Sequence, residues 1–367
     1  MKIPYLNLKD INLRHQEVLK NTFNEVLDSG WYILGKSVES FEREYADFSE
    51  TKYCTGVANG LDALILSLKA LEVGQGDEVL VPSNTYIASW LAVSYVGAIP
   101  IPVEPRLDTC NINPDLIEEK ITSKTKVIMP VNLYGQAAEL EAICAVAQKY
   151  GLFVLEDNAQ AQGASYKGKL CGAWGDINAT SFYPGKNLGA LGDGGAVTTN
   201  TEALDRKIRV LRNYGSQKKY YNEIKGVNSR LDELQAAFLS EKLKFLQQDN
   251  TERNKLADIY NQELATVGDL VLPQLAEGAT SVYHIYQIRT KQRNELQNYL
   301  TQQGIGTVIH YPVPPHLQQA YQELGYRKGD FPIAEEIAET CLSIPLFPGL
   351  LEDEQAYIVQ TIKKFFR

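Results

Sequence analysis

Two residues near the middle of the chain have the types and setting for imine chemistry. Asp157 closes an apolar run (152–155) within Leu155-Glu156-Asp157-Asn158-Ala159-Gln160-Ala161. Lys186 follows a second short run (179–182) and the Pro184-Gly185 turn, and a glycine-rich return, 189–195, leads into a third run. A carboxylate at the mouth of one buried strand and a lysine at the end of its neighbour suit pyridoxal phosphate (PLP). The amine condenses with the aldehyde, and the carboxylate keeps the pyridine nitrogen protonated so that the ring accepts electrons. A Lys and an Asp on two strand ends are more often solvated or merely paired, so this pair takes its weight from what surrounds it.

The surroundings are a series of alternating elements. Apolar runs at 53–57, 78–81, 99–103, 126–131, 153–156, 179–182 and 196–199 read as strands, with helical patterns between them at 61–71, 86–95, 114–121 and 139–150. The expected fold is α/β: a seven-stranded, mostly parallel sheet covered on both faces. Ligands of such sheets sit at the carboxyl ends of the strands, where Asn59-Gly60, Ser83-Asn84-Thr85-Tyr86, Asn132, Asp157, Gln160, Ser181 and Lys186 collect. Two helices, 14–28 and 37–48, come first, and between them lies the aromatic segment Trp31-Tyr32-Ile33-Leu34, a partner contact or a site wall. After Asp205 a long helical pattern runs from 230 to 264. Beyond a break near Gly268, strand-like runs (283–290, 306–310) and helices (294–303, 333–342, 353–366) read as a smaller α/β domain. The division expected is 1–248 for the large domain and 249–367 for the small one.

Among further candidates, the turn Ala58-Asn59-Gly60-Leu61 ends a strand and opens a helix whose free amides can hold a phosphate, although an ordinary βα turn looks the same. The ring of Tyr86 is placed to stack on a planar ligand or to pack in the core. Asn228, just before the long helix, can donate to an anion. His310-Tyr311-Pro312 and His316 suit contacts to a polar substrate or a rigid loop, and without an accompanying acid cluster they do not read as metal ligands. The segment 189–195 runs straight into a strand, the wrong context for a dinucleotide fingerprint.

Composition narrows the partners. With 367 residues the chain has room for about two domains. A net charge of −9 without a basic run argues against nucleic acid or an anionic membrane as the main partner. The five cysteines, Cys54, Cys110, Cys144, Cys171 and Cys341, show no paired spacing and read as buried thiols of a reducing, cytoplasmic protein. The first ten residues lack the apolar core of a signal peptide, and the longest apolar stretch, 90–103, is broken by Ser94, Gly97 and Pro100 and too short to span a bilayer.

Taken in order, these segments resemble the DegT/DnrJ/EryC1/StrS sugar aminotransferases, which share the type I PLP fold. The likeness runs from Gly30-Trp31-Tyr32-Ile33-Leu34-Gly35 through Asn59-Gly60-Leu61-Asp62-Ala63-Leu64, Glu156–Ala161 and Ser181–Asn187 to 228–237 and His310-Tyr311-Pro312. The resemblance implies that Lys186 forms the imine and later moves the proton, that Asp157 pairs with the pyridinium nitrogen, and that Gln160 bonds the phenolic oxygen while Tyr86 stacks on the ring. It implies that Gly60, Leu61 and Ser181 hold the phosphate together with Asn228 from a second subunit, making a homodimer obligatory. Tyr183, His310, Tyr311 and His316 would line the sugar pocket. The chain departs from the family pattern at Leu61, where Thr or Ser is common, at Asn158 (Ala or Cys) and at Asn132 (His). The segment 183–193 looks more like members that aminate the 3-keto carbon of a dTDP-6-deoxyhexose than like the 4-keto branch. L-glutamate is the implied donor, with pyridoxamine phosphate (PMP) between the two half-reactions. The same fold includes PMP-dependent dehydratases, which carry His in place of the lysine, and non-catalytic regulatory members; Lys186 and the intact Asp157–Gln160 pair point away from both.

Overall fold

The computed structural model describes residues 1–367. Three helices open the chain, α1 (Leu8–Leu13), α2 (Gln16–Ser29) and α3 (Lys36–Phe48). The central unit alternates β1 (Tyr53–Val57), α4 (Gly60–Ala70), β2 (Glu78–Pro82), α5 (Ile87–Tyr95), β3 (Ile99–Val103), β4 (Thr125–Ile128), α6 (Leu140–Tyr150) and β5 (Phe153–Asp157). A small hairpin, β6 (Ser165–Tyr166) and β7 (Lys169–Leu170), precedes β8 (Ile177–Ser181), β9 (Gly195–Thr199) and α7 (Glu202–Leu211). The seven main strands form one sheet in the order β1-β9-β8-β5-β4-β2-β3. Only β9 runs antiparallel to its neighbours, so the carboxyl ends of β1, β5 and β8 lie together with the amino end of β9.

Two apolar layers hold the sheet. On one face α4 and α5 bury Leu64, Leu66, Leu68, Trp90 and Val93 against Leu155, Ile177 and Ala179. On the other, α3 and the long helix α8 (Glu233–Leu264) enclose Phe182 with Phe41, Tyr45 and Leu239, while α6 covers Val154 and Ile128. The alternation of strand side chains assigns each residue its face. Along β5, Leu155 and Asp157 point toward α4 and α5, and Glu156 points away. Glu156 is fully buried there, and it is satisfied by amides of Gly172 (2.9 Å), Trp174 (2.6 Å) and Gly175 (3.1 Å) and by Asn132 (3.0 Å).

A second hairpin, β10 (Ser216–Lys218) and β11 (Tyr221–Asn222), leads to α8. The C-terminal part holds β12 (Tyr286–Arg289), α9 (Arg293–Gln302), α10 (Pro332–Thr340), β13 (Cys341–Ile344) and α11 (Glu352–Phe365). Three details differ from the sequence reading. The pattern at 114–121 gives only two 3-10 turns, Pro114–Leu116, capped by the Asn113 side chain, and Glu118–Lys120, ended by the extended backbone of Ile121. The run 306–310 is not a strand; Val308 alone bridges Ser343. Instead 341–344, whose first two residues fall in the helix expected over 333–342, pairs antiparallel with β12 and buries all four of its side chains. Residue 248 lies inside the unbroken helix α8, and Ile3 packs in the C-terminal cluster with Leu256, Tyr260 and Ile305.

Phe182 is fully buried, edge-on to both Phe41 (5.3 Å) and Tyr45 (5.2 Å). Phe182→Ala removes a ring from a closed cluster and costs about 3–5 kcal/mol, read as a lower denaturant midpoint at an unchanged slope. A loss below about 1 kcal/mol would show that the cluster collapses around the gap.

Candidate active site

Loops at the carboxyl edge of the sheet, joined by residues of the C-terminal part, enclose a cavity of about 640 Å³. Gly60, Leu61, Tyr86, Asp157, Gln160, Ser181, Tyr183, Lys186, His310 and Tyr311 all line it. So ten of the twelve positions read from the sequence converge on one space.

One end of the cavity is the β1–α4 turn. Asn59 caps the helix by accepting from the amide of Asp62 (2.8 Å), which leaves the amides of Gly60 and Leu61 free, as at any helix start. Small residues keep this place open. A β-carbon on Gly60 would come within 2.6 Å of the Ser181 β-carbon, and one on Gly195 within 2.5 Å of the Asn59 backbone. Gly195 pairs with Val57 on one side and Ser181 on the other, so the strand register itself sets the free amides beside the Ser181 hydroxyl. Two free amides, a hydroxyl and the positive end of a helix fit a phosphate.

Lys186 sits in the connection between β8 and β9. That loop is pinned at many points. The amide of Lys186 donates to the carbonyl of Tyr183 (2.8 Å), that of Ala190 to Phe182 (2.8 Å), and that of Leu191 to the Gln235 side chain (2.8 Å). Asn187 donates to Asn250 (2.9 Å) and to the carbonyl of Val282 (3.0 Å), and the Lys242 ammonium donates to the carbonyl of Gly189. Gly189 admits no side chain, since a β-carbon would lie 2.4 Å from the Pro184 carbonyl oxygen. Burial disfavours the charged amine of Lys186, and the negative charge of Asp157 opposes this; the balance lowers its pKa to about 8. A fraction of neutral, nucleophilic amine is therefore present near neutrality.

Asp157 shows the converse effect. Burial raises its pKa, while Ser89, the amide of Ala159 and the charge of Lys186 each pull it back. The Ser89 hydroxyl donates to it at 2.8 Å, and Ser89 stands on α5 just after Tyr86, so one helix start serves both groups. Gln160 donates to the Tyr311 hydroxyl (3.1 Å) and accepts from the amide of Tyr134 (2.7 Å). The rings of Tyr86 and Tyr311 lie 5.1 Å apart. His310 bonds Ser343 (2.8 Å), and burial followed by the positive charge of Lys186 lowers its pKa to about 4.

His316 is a correction. It lies outside the cavity, buried, with Nε2 3.0 Å from the Glu335 carboxylate and its ring against Phe331. The 3-10 turn Pro315–Leu317 directs it under the first turn of α10, where Glu335 supplies a partner. Asn228 is exposed and does not reach the cavity of its own chain. Trp31, Tyr32 and Ile33 are exposed too and are not part of the wall. The sequence reading missed Tyr5, Asp193 and His284, which line the cavity. His284 bonds Asn187 (3.3 Å) and is placed by segment 282–285 lying on the Leu133–Gly135 turn, a contact about 150 residues apart with no local signature. Tyr5 has none either.

A desolvated lysine opposite a desolvated aspartate, with a phosphate cradle at the strand ends of a doubly covered sheet, defines a PLP-dependent enzyme of fold type I. The residues matched by the DegT/DnrJ/EryC1/StrS aminotransferase family are 14–363, and the chain belongs to that family. It is 52% identical over 363 residues, 99% of either chain, to the dTDP-3-amino-3,6-dideoxy-alpha-D-galactopyranose transaminase of Aneurinibacillus thermoaerophilus. It is 45% identical over 99% of its length, and 96% of the relative's, to the dTDP-3-amino-3,4,6-trideoxy-alpha-D-glucose transaminase of Streptomyces venezuelae. The crystal structure of S. venezuelae DesV in complex with a ketimine intermediate superposes with a TM-score of 0.98 at 44% identity, covering 100% of this chain and 99% of that one. Solved neighbours of this fold include PLP and PMP forms.

PLP, when bound, supplies an aldehyde and an electron-accepting ring. The chain's part is to place groups around it. Lys186 offers a partly neutral amine, which would condense with that aldehyde and could afterwards accept and return a proton. Asp157, a buried carboxylate, would hold a proton on the pyridine nitrogen by its charge. Gly60, Leu61 and Ser181 would hold the phosphate, and Tyr86 offers a ring for a planar ligand to stack on.

Capture of added PLP by cofactor-depleted protein should rise with pH through a midpoint near 8, since only the neutral amine reacts. Asp157 raises the pKa of Lys186, so Asp157→Asn should move that midpoint to lower pH. The visible absorbance of the captured aldehyde, followed across pH, gives both midpoints. A midpoint that stays or rises in the variant contradicts the electrostatic reading.

Proposed function

We propose that this aminotransferase moves the amino group of L-glutamate to carbon 3 of a dTDP-linked 3-keto-6-deoxyhexose, giving a dTDP-3-amino-3,6-dideoxyhexose for a surface glycan or a glycosylated natural product. The observation that carries the reading is the lining of the cavity. Besides Lys186, Asp157 and Asp193, its polar lining is neutral, Thr85, Tyr86, Tyr183, His310 and Tyr311 among it, and it holds no arginine. Such a wall suits a polyhydroxylated ring. Hydroxyl and imidazole groups hold sugar hydroxyls, and any left unpaired by a wrong substituent penalise the wrong substrate. The two relatives above, both named as transaminases of 3-amino dTDP-sugars, support the same carbon.

The anionic parts of both substrates then need cations or amides from outside this wall. A second copy supplies them in our reading. Asn228, exposed and aimed away from its own site, completes the phosphate pocket of the neighbouring subunit. The exposed Leu27, Trp31, Tyr32 and Ile33 form the apolar part of the contact. The active unit is then a homodimer. We place it in the cytoplasm, with sugar-nucleotide synthesis; no helix is long and apolar enough to cross a membrane.

Incubation with a panel of dTDP-ketosugars and glutamate, followed by NMR of the product, tests the assignment. Nitrogen on C3 is the expected result; nitrogen on C4 moves the enzyme to the 4-keto class, and no turnover of any ketosugar removes the substrate reading. Lys186→Ala should abolish turnover and the visible colour together. For the interface, each hybrid dimer of a Lys186→Ala and an Asn228→Ala chain carries one site with both defects and one with neither. At a PLP concentration too low to load the Asn228→Ala sites, mixing the two proteins should therefore restore about a quarter of the wild-type rate per chain when chains assort at random. No recovery argues that each Asn228 serves its own subunit.

A further inference from the structure

The last residues of β1 are held by a buried charge network that the chemistry described so far does not use. Glu42 of α3 is almost fully buried, and its carboxylate accepts from Arg212 (2.5 Å), Arg209 (2.7 Å) and the amide of Gly56 (2.8 Å). Arg212, equally buried, also donates to the carbonyl of Gly56 (2.6 Å). Both backbone groups of Gly56 are thus fixed by one ion pair, three residues before Asn59. Gly56 itself has no room for a side chain, since a β-carbon would lie 2.9 Å from that of Leu231.

The backbone of Arg212 also holds the segment that carries Asn228. The carbonyl of Arg212 accepts from the amide of Ser229 (2.9 Å), and the Ser229 hydroxyl accepts from the amide of Ala58 (3.1 Å). Ser229 and Leu231 are fully buried against β1, while Asn228 between Val227 and Ser229 projects outward. Two structures therefore grow from one anchored point. Toward the inside of the chain runs the turn Asn59-Gly60-Leu61, with its free amides; toward the outside runs Asn228. A buried ion pair whose lone pairs and protons are met by backbone groups has little freedom to rearrange, and it fixes geometry more than it adds stability.

We propose that the Glu42–Arg212 pair and the Ser229 hydroxyl are positioning groups for cofactor phosphate, which set the cradle of their own subunit and the Asn228 amide offered to the other from a single point. This rests on the reading that Asn228 serves the neighbouring site. It makes the two phosphate pockets of a dimer mechanically linked: what loosens Ser229 loosens one pocket directly and the other through Asn228.

The test compares Ser229→Ala, Ser229→Thr, Asn228→Ala and the double variant Glu42→Gln/Arg212→Met, which leaves no orphan charge in the interior. PMP and PLP are titrated into cofactor-depleted protein by absorbance, and melting is followed with and without cofactor. Ser229→Ala should weaken PMP binding about fivefold, the weight of one hydrogen bond, with Thr restoring it, while the cofactor-free melt barely moves. The double variant should weaken both forms of the cofactor and narrow the gap between loaded and empty melts. If Ser229→Ala and the double variant lower both melts equally and leave affinity unchanged while Asn228→Ala weakens it, the network is merely structural and the proposal is overturned. If Asn228→Ala itself leaves affinity unchanged, the Asn228 reading falls and takes the cross-subunit half with it; the cradle half is then decided by Ser229→Ala alone.

Discussion

Everything at this site depends on withdrawing an amine and a carboxylate from water without letting them neutralise each other into uselessness. Burial alone drives Lys186 toward the free base and Asp157 toward the acid, and each charge restrains the shift of the other. That balance has meaning only if the two groups cannot drift. Asp157 is fixed by its strand, by Ser89 and by the amide of Ala159. Lys186 has no strand of its own to stand on, which explains the number of bonds spent on its loop.

The sheet explains why these groups meet. Parallel strands bring many loop starts to one edge, and the single reversal at β9 places a glycine amino end among the carboxyl ends of β1 and β8. Gly195 is then both a strand residue and the floor beneath the β1–α4 turn. The fold supplies a phosphate cradle and a lysine loop from neighbouring strands, and the sequence supplies glycine wherever backbone must touch backbone.

Much of this was legible in the sequence because it is local. The short apolar runs marked all seven main strands, and the turn signals at Asn59-Gly60 and Pro184-Gly185 lie at the places where chain direction changes. The ordered likeness of Asn59–Leu64, Glu156–Ala161 and Ser181–Asn187 to an aminotransferase family added the cofactor and most of the wall. The failures share a cause. Tyr5 and His284 reach the cavity through contacts across the molecule, and His316, adjacent to a cluster that does reach it, is turned away by a short 3-10 turn and captured by Glu335. Segment 341–344 became a strand because β12 offered an edge and a buried side for it, a tertiary circumstance that outweighs the helical pattern before it.

Helix α8 has a mechanical consequence. Its 32 residues span about 48 Å without interruption, bonding Leu191 through Gln235, Gly189 through Lys242, Asn187 through Asn250, and the carbonyls of Tyr283 and Leu346 through Arg253. A beam that is riveted at both ends leaves no swivel between the halves it joins. Any turning of one half against the other would have to break these bonds, which leaves side chains and surface loops as the elements free to admit bulky molecules.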